Sequence, residues 1–459
     1  MQYNLCRKLQ QHKKMKKITL LLLLIVSVVT AQAQEIVTDS IQKTISVDSL
    51  KQSLNEHSMK FNDLDERLAT MDGDLSKLNK IKISGYIQTQ YDMYDYQDDK
   101  GPVSGSSAAA PVTNTFYLRR ARIKFTYEAL DGVKFVLQPD FAFDKVSVKD
   151  AYVVLNDRWT QTYTITAGQF NRPTYEVEFS SNFREFMERT RMTTTLYPNE
   201  RDLGAKLEAN FDIKYAFPLK FQLAVFNGNF GEGTTANQVR DVDSNKDVMA
   251  RAVYAIRLPN KGLGIDIGAH GYFGSTKVLP QPVTTPVTPM PTFSDVNNVS
   301  FVPNVGDTLK KDWFGAEMQV YYDFLGGMSL KTEYIAGTMS GTTNPAETYS
   351  NFAANKVRDF KGYYVAISKN IGKMNQAVVR FDSFDPNSRL SGNSVTRADD
   401  LKYDTWTFGW QFFYDEQVKI VLGYTMPLNE KSDTVGGDYA SSNKDRKDST
   451  FSIRLQARF

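Results

Sequence analysis

Between Ile81 and Phe459 the chain is a succession of segments, each about ten to fifteen residues long, in which apolar and polar side chains alternate. A period of two belongs to β-strands with one apolar and one wet face. "RARIKFTY" sets Ala121, Ile123, Phe125 and Tyr127 against Arg120, Arg122, Lys124 and Thr126, and "VKIVLGY" at 418–424 behaves alike. The connections alternate as well. Those at 130–132, 156–161, 259–262, 325–327, 370–373 and 415–417 are short. Those at 97–114, 170–201, 228–246, 274–311, 339–357, 385–401 and 428–447 are mostly long and polar. Short turns on one side, long loops on the other and an even strand number are the layout of bacterial outer-membrane barrels. A soluble sandwich or β-helix has no cause for it. The expected fold is an all-β transmembrane barrel of about sixteen antiparallel strands over 81–459, with both ends on the periplasmic side.

The last strand fits this reading. Phe451, Ile453, Leu455, Ala457 and Phe459 form one face, and Ser452, Arg454, Gln456 and Arg458 the other. A soluble edge strand of this kind would expose unpaired backbone groups beside an apolar face. As the closing strand of a barrel it has a neighbour on each side and lipid against its apolar face.

The opposite end carries an export signal. Lys13, Lys14, Lys16 and Lys17 precede an apolar run from Ile18 to Val29 and the small residues Ala31 and Ala33, which predicts a signal peptide over 1–33. About twelve apolar residues fall short of the roughly twenty that span a bilayer. Removing 1–33 takes six basic residues and no acidic ones, leaving 49 Lys and Arg against 52 Asp and Glu. The mature chain is then slightly acidic, and nucleic acid is not an expected partner. Cys6 and His12 leave with the signal, so no thiol remains, and the surviving His57 and His270 are far apart. Neither a catalytic constellation nor a metal or cofactor site is legible, and the chain is not read as an enzyme.

Residues 46–80 have a different period. Val47, Leu54, Phe61, Leu68 and Leu75 recur every seventh residue, with Leu50, His57, Leu64, Met71 and Leu78 in a second register. Heptads of this kind, with polar residues between, predict an α-helical coiled coil within a periplasmic segment 34–80. The proline-rich stretch at 279–293 reads as an external loop.

Three stretches together resemble the phosphate-selective porins O and P of the outer membrane. They are "FYLRRARIKF" (116–125), "PDFAFDKVSVKDAYVVL" (139–155) and "AGQFNRPTYEVEFSSNFREFMERTRMTTTLYPNERDLGAKL" (167–207). The shared elements are the Arg-rich second strand, the Asp-Phe and Asp-Ala-Tyr pairs, the Gly-Gln-Phe…Pro turn, the Glu-Arg pair and the Arg-Asp-Leu-Gly strand start. The resemblance implies a homotrimer of sixteen-stranded barrels, each with its third external loop folded into the pore. It also implies Arg and Lys along the lumen that lead inorganic phosphate, or other small anions, to a constriction. The constriction loop is then 170–201, with Arg172, Glu188, Arg189, Arg191 and Arg201, and the only other partner is outer-membrane lipid.

If the apolar faces meet lipid, the other faces line the lumen. Strand parity sends Arg120, Arg122, Lys124, Lys134, Lys206, Arg251, Lys331, Arg380, Lys419, Arg454 and Arg458 inward, against the acids Glu208, Asp266, Glu333 and Asp382. A low-dielectric wall with such an excess concentrates anions. The anion path is expected along Arg119, Arg120, Arg122, Lys124, Lys134, Lys206, Arg251 and Arg380. Arg119 falls on the lipid-facing parity and contributes only if the strand ends or bulges there. Two alternatives stand beside this reading. Because loop 170–201 mixes five Arg with Glu176, Glu178, Glu185, Glu188 and Glu200, one is a general porin of low selectivity. The other is a structural envelope protein whose barrel anchors a coiled coil facing the cell wall.

Overall fold

The computed structural model describes residues 80–96, 113–142, 146–198, 200–228, 241, 243–278, 280, 290, 292–341, 356–435, 445 and 448–459. The expected signal peptide, the heptad segment and most of the proline-rich loop lie outside the described residues.

Sixteen strands form one closed barrel. The first eight are β1 (Ile81–Tyr96), β2 (Asn114–Leu130), β3 (Val133–Asp140), β4 (Ser147–Asn156), β5 (Tyr163–Asn171), β6 (Arg201–Asn210), β7 (Leu219–Phe226) and β8 (Asp247–Leu258). The rest are β9 (Leu263–Lys277), β10 (Thr308–Tyr322), β11 (Met328–Ser340), β12 (Val357–Ile371), β13 (Asn375–Asp385), β14 (Tyr403–Phe413), β15 (Val418–Asn429) and β16 (Asp448–Arg458). Each pairs antiparallel with its sequence neighbour, and β16 returns to β1. The expected strand number and connection pattern match this barrel. The long connection between β9 and β10 is shorter than expected, because both strands run further into it. It also holds a small hairpin, Phe293–Ser294 with Ser300–Phe301, that alternation could not signal in so few residues.

The seam between β16 and β1 depends on a glycine. Gly85 and Phe459 exchange both backbone hydrogen bonds, each 3.0 Å. A Cβ on Gly85 would lie 2.5 Å from the Arg122 carbonyl oxygen and 2.6 Å from the Phe459 ring, so only glycine lets the last ring lie over the seam. In the β2–β3 turn, Gly132 takes φ of 79°, which L-residues with a side chain rarely adopt.

Alternation produces an outer face of exposed Ile83, Ile87, Leu137, Leu207, Ile267, Ile367, Leu422 and Leu455. Exposed aromatics at the short-turn end, among them Tyr127, Phe135, Tyr163, Phe217, Tyr254, Tyr414 and Phe459, form the interfacial girdle of a membrane barrel.

The interior is not uniformly polar. Loop 172–200 folds into the lumen and carries two short helices, α1 (Tyr175–Glu178) and α2 (Arg191–Leu196). Val177, Met192, Leu196 and Tyr197 from this loop are buried against inward-facing Phe170, Phe226, Met249, Tyr272, Trp313, Phe360 and Phe384. Trp313 stacks on Tyr272 at 3.9 Å and donates its indole N–H to the Tyr197 hydroxyl at 2.9 Å. Each such side chain is stabilised by about 1.5–3 kcal/mol on burial, more than an exposed ion pair supplies. The loop is therefore held in good part by an apolar patch on the inner wall. That corrects the expectation that every inward face is wet: here the inward face meets the loop, not water.

Candidate constriction site

Opposite the apolar patch the loop meets a basic wall. In the β1–β2 pairing Gln88 lies opposite Arg120, and the next partner of Thr89 is Leu118, so Arg119 is the extra residue of a β-bulge. The bulge turns Arg119 inward beside Arg120 and reverses the parity of the strand beyond it, so that Leu118 faces outward and Tyr117 inward. Arg119 Nε and Nη2 donate to Glu188 Oε1 and Oε2, both at 2.9 Å. Arg120 Nη2 donates to Glu188 Oε2 at 3.3 Å and its Nη1 to Gln88 Oε1 at 3.0 Å. From β16, Arg454 Nη2 donates to Glu188 Oε1 at 2.6 Å and Nη1 to the Met187 carbonyl at 2.7 Å.

A fourth guanidinium comes from the loop itself. Arg184 is 6% exposed, and its Nε and Nη2 have no hydrogen-bond partner. Its electrostatic neighbours include Glu188, Glu176 and Arg454, and it also acts on Arg120. Burial pushes the Arg184 guanidinium down to about 10, partly offset by Glu188, so it stays charged at neutral pH. Among the described residues, Glu188 is the one carboxylate that ion-pairs with Arg119, Arg120 or Arg454. Burial alone would raise the Glu188 carboxyl, but these three arginines hold it well below the usual carboxylate range. Asp92, on the same wall, is occupied by Gln90 at 2.8 Å and the Tyr117 hydroxyl at 2.7 Å. Three arginines thus pair with one carboxylate, and a fourth, Arg184, lies within electrostatic reach of it and of Glu176.

Elsewhere the expected lumen cations are mostly matched. Arg122 pairs with Asp140 at 2.7 Å, Arg172 with Asp202 at 2.7 Å, and Arg201 with Asp150 at 2.8 Å. Arg251 pairs with Glu317 at 2.6 Å and Glu178 at 2.9 Å, and Lys206 with Glu178 at 3.2 Å. Arg380 donates to the Glu188 carbonyl at 2.9 Å and lies 3.4 Å from Asp382. Arg189 donates to the carbonyls of Glu176 at 2.9 Å and Val177 at 2.8 Å, which makes it a brace within the loop. Arg191 lies 3.8 Å over the Tyr403 ring. Lys134 sits near the short-turn end, 3.8 Å from Glu128 and away from the constriction. The inward acids are more numerous than expected, because Asp140, Asp150, Asp202, Asp247 and Glu317 join them. Asp140 shares the parity of Lys134, so alternation carried that signal, but not the pairing.

Between the loop and the short-turn end lies a water-accessible vestibule of about 960 Å³. Lys82, Arg122, Lys124, Arg189, Arg201, Lys206, Lys220 and Arg458 line it, against Asp150, Glu178, Glu200, Glu208 and Glu416. Eight cations to five anions leave a modest positive balance.

A closed barrel of sixteen strands, apolar outside, with a loop folded into a charged lumen, defines an outer-membrane porin, a channel rather than an enzyme. The chain belongs to the phosphate-selective porin O and P family, whose profile it matches over residues 89–459. Solved structures share its fold at low identity. The outer membrane channel DcaP of Acinetobacter baumannii is 14% identical, with a TM-score of 0.50 over 83% of this chain and 97% of that one. OprB of Pseudomonas putida is 10% identical, with a TM-score of 0.51 over 84% and 96%. No curated protein shows significant sequence similarity.

Proposed function

We propose that this porin passes small anions passively and favours phosphate, with Arg119, Arg120, Arg184 and Arg454 around Glu188 as the selective element. The observation that carries the reading is the local ratio of four guanidinium groups to one ion-paired carboxylate, with two Arg184 donors unpartnered. Guanidinium forks match phosphate oxygens in pairs, whereas a lysine acts as a point charge. The vestibule, with its positive balance, would supply a shallow gradient on the short-turn side. Lys124 and Lys206 belong to that approach, and Arg122, Arg251 and Arg380 chiefly fix the wall and the loop. The short turns and the segment before Ile81 are periplasmic on this reading, and the working unit is a trimer.

The dense ion pairing elsewhere in the lumen favours a second reading, a general porin with weak selectivity. Reversal potentials across planar bilayers in a salt gradient distinguish the two. Clear anion preference, with chloride current reduced by added phosphate, supports the first. A near-zero reversal potential that phosphate does not alter supports the second.

A further inference from the structure

On the wall behind α1, three neighbouring strands each send one metal-ligating side chain inward: His270 from β9, Glu317 from β10 and Glu333 from β11. One donor atom from each lies within 4.8 Å of the other two, and His270 Nδ1 is 4.0 Å from Glu333 Oε1. Glu317 and Glu333 face each other directly in the register, an arrangement in which like charges repel. Glu317 is answered by Arg251, whose Nε and Nη2 reach it at 3.1 and 2.6 Å. Arg251 acts on Glu333 only at longer range, and Glu333 has no ion-pairing cation of its own. It is 1% exposed, His270 is 4% exposed, and neither Glu333 oxygen nor either His270 ring nitrogen has a hydrogen-bond partner.

The surrounding chain leaves room for this cluster. A Cβ on Gly315, the residue paired with His270, would lie 2.2–2.3 Å from the imidazole. A Cβ on Gly268, paired with Glu317, would lie 2.9 Å from the Glu317 side chain. From the loop, Glu176 faces Glu333, but its own carboxylate accepts from Thr190 and Thr193. A buried carboxylate and imidazole with no partners cost far more than they contribute unless something binds between them.

We infer that His270, Glu317 and Glu333 form a binding site for one divalent transition-metal ion, Zn²⁺ being the best match. One imidazole and two carboxylates suit zinc, with bonds of about 2.0–2.2 Å that small rotations of these side chains supply. Mg²⁺, which prefers an all-oxygen octahedron, fits this set poorly. The ion answers the charge of Glu333 and ties three strands together beneath the loop. No sequence motif announces the site, because its ligands are 47 and 16 residues apart (270 to 317 to 333) and meet only through strand register.

The test uses the full-length folded barrel in detergent, stripped with a chelator and titrated with Zn²⁺ against a chromophoric zinc indicator. The expected result is one ion per chain. H270A and E333Q should each weaken it by more than the roughly 10–100-fold that loss of a supporting hydrogen bond costs at metal sites. H57A, which removes the other histidine of the exported chain, should leave binding unchanged. Co²⁺ added to the unmodified protein should give d–d absorption with the intensity of a four- or five-coordinate site, and Zn²⁺ should abolish it. This readout stands even if a variant fails to fold. Absence of stoichiometric binding and of the Co²⁺ band overturns the proposal, as does equal zinc affinity in the unmodified protein and both folded variants.

Discussion

Arg119 and Glu188 meet fork to fork, with two parallel hydrogen bonds of 2.9 Å, in a lumen from which strand parity excludes Arg119. The bulge opposite Gln88 and Thr89 makes this possible. It adds a cation where the loop presents its carboxylate, and it leaves Arg120, Arg184 and Arg454 in excess.

Removing that carboxylate should therefore sharpen selectivity. Glu188→Gln is expected to increase anion preference, read as a larger reversal potential, with the barrel intact by heat-modifiable gel mobility. Because the Glu188 carboxyl is held below its usual range, its contribution is fully present above the ordinary carboxylate value. That contribution is lost only as pH falls through the lowered value. In the unmodified protein, selectivity should stay flat from neutral to mildly acidic pH. A titration step near the ordinary glutamate range would contradict the assigned pairing.

Arg184→Ala tests the unpartnered guanidinium. Its two free donors contribute nothing to fold hydrogen bonding, so the barrel should still give a folded band. Reduction of chloride current by phosphate should weaken clearly. Unchanged phosphate sensitivity would remove Arg184 from the selective element.

The loop is anchored by apolar burial, which predicts where it fails. Leu196→Ala or Met192→Ala removes a fully buried side chain, at a cost of about 2–5 kcal/mol that falls on loop docking more than on the strand ladder. Single-channel records should show larger conductance and more open-state noise. A quiet channel of unchanged size would mean that the polar contacts alone hold the loop.

At the start of that loop, Arg172 pairs with Asp202, both essentially inaccessible to solvent. Arg172→Ala leaves the Asp202 carboxylate with backbone donors but no counter-charge, and breaking buried pairs costs about 3–5 kcal/mol. The folded band should be lost at a lower temperature. Arg389→Ala, at an exposed pair with Asp359, should shift it little.

Gly85 gives the closing strand its test. Gly85→Val places side-chain atoms where the Phe459 ring and the Arg122 carbonyl already lie. Folding into micelles should slow and the folded fraction fall, while Gly264→Ala on β9, where a Cβ would meet only the Arg257 side chain at 3.6 Å, should fold at a similar rate.

The barrel was legible in the chain because alternation is local. Each strand announces itself within ten residues, and the short and long connections order the strands without reference to distant contacts. The family resemblance likewise rests on contiguous residues from 116 to 207. Parity also carried Arg120, Arg122, Arg251, Arg380 and Arg454 to the lumen. It did not carry their partners: whether Arg122 faces open water or Asp140 depends on the register of a neighbouring strand. Arg119 needed a one-residue slip between β1 and β2, a local exception that period-two counting treats as the wrong face. Trp313, Tyr272 and Phe360 face inward against the usual rule because the loop, not water, covers them. Alternation along the chain therefore determined the barrel and its two faces, since it depends on residues a few positions apart. The constriction, its arginine excess and the His270–Glu317–Glu333 cluster were decided by closure, which sets the register of distant strands and lets one loop fill the space they enclose.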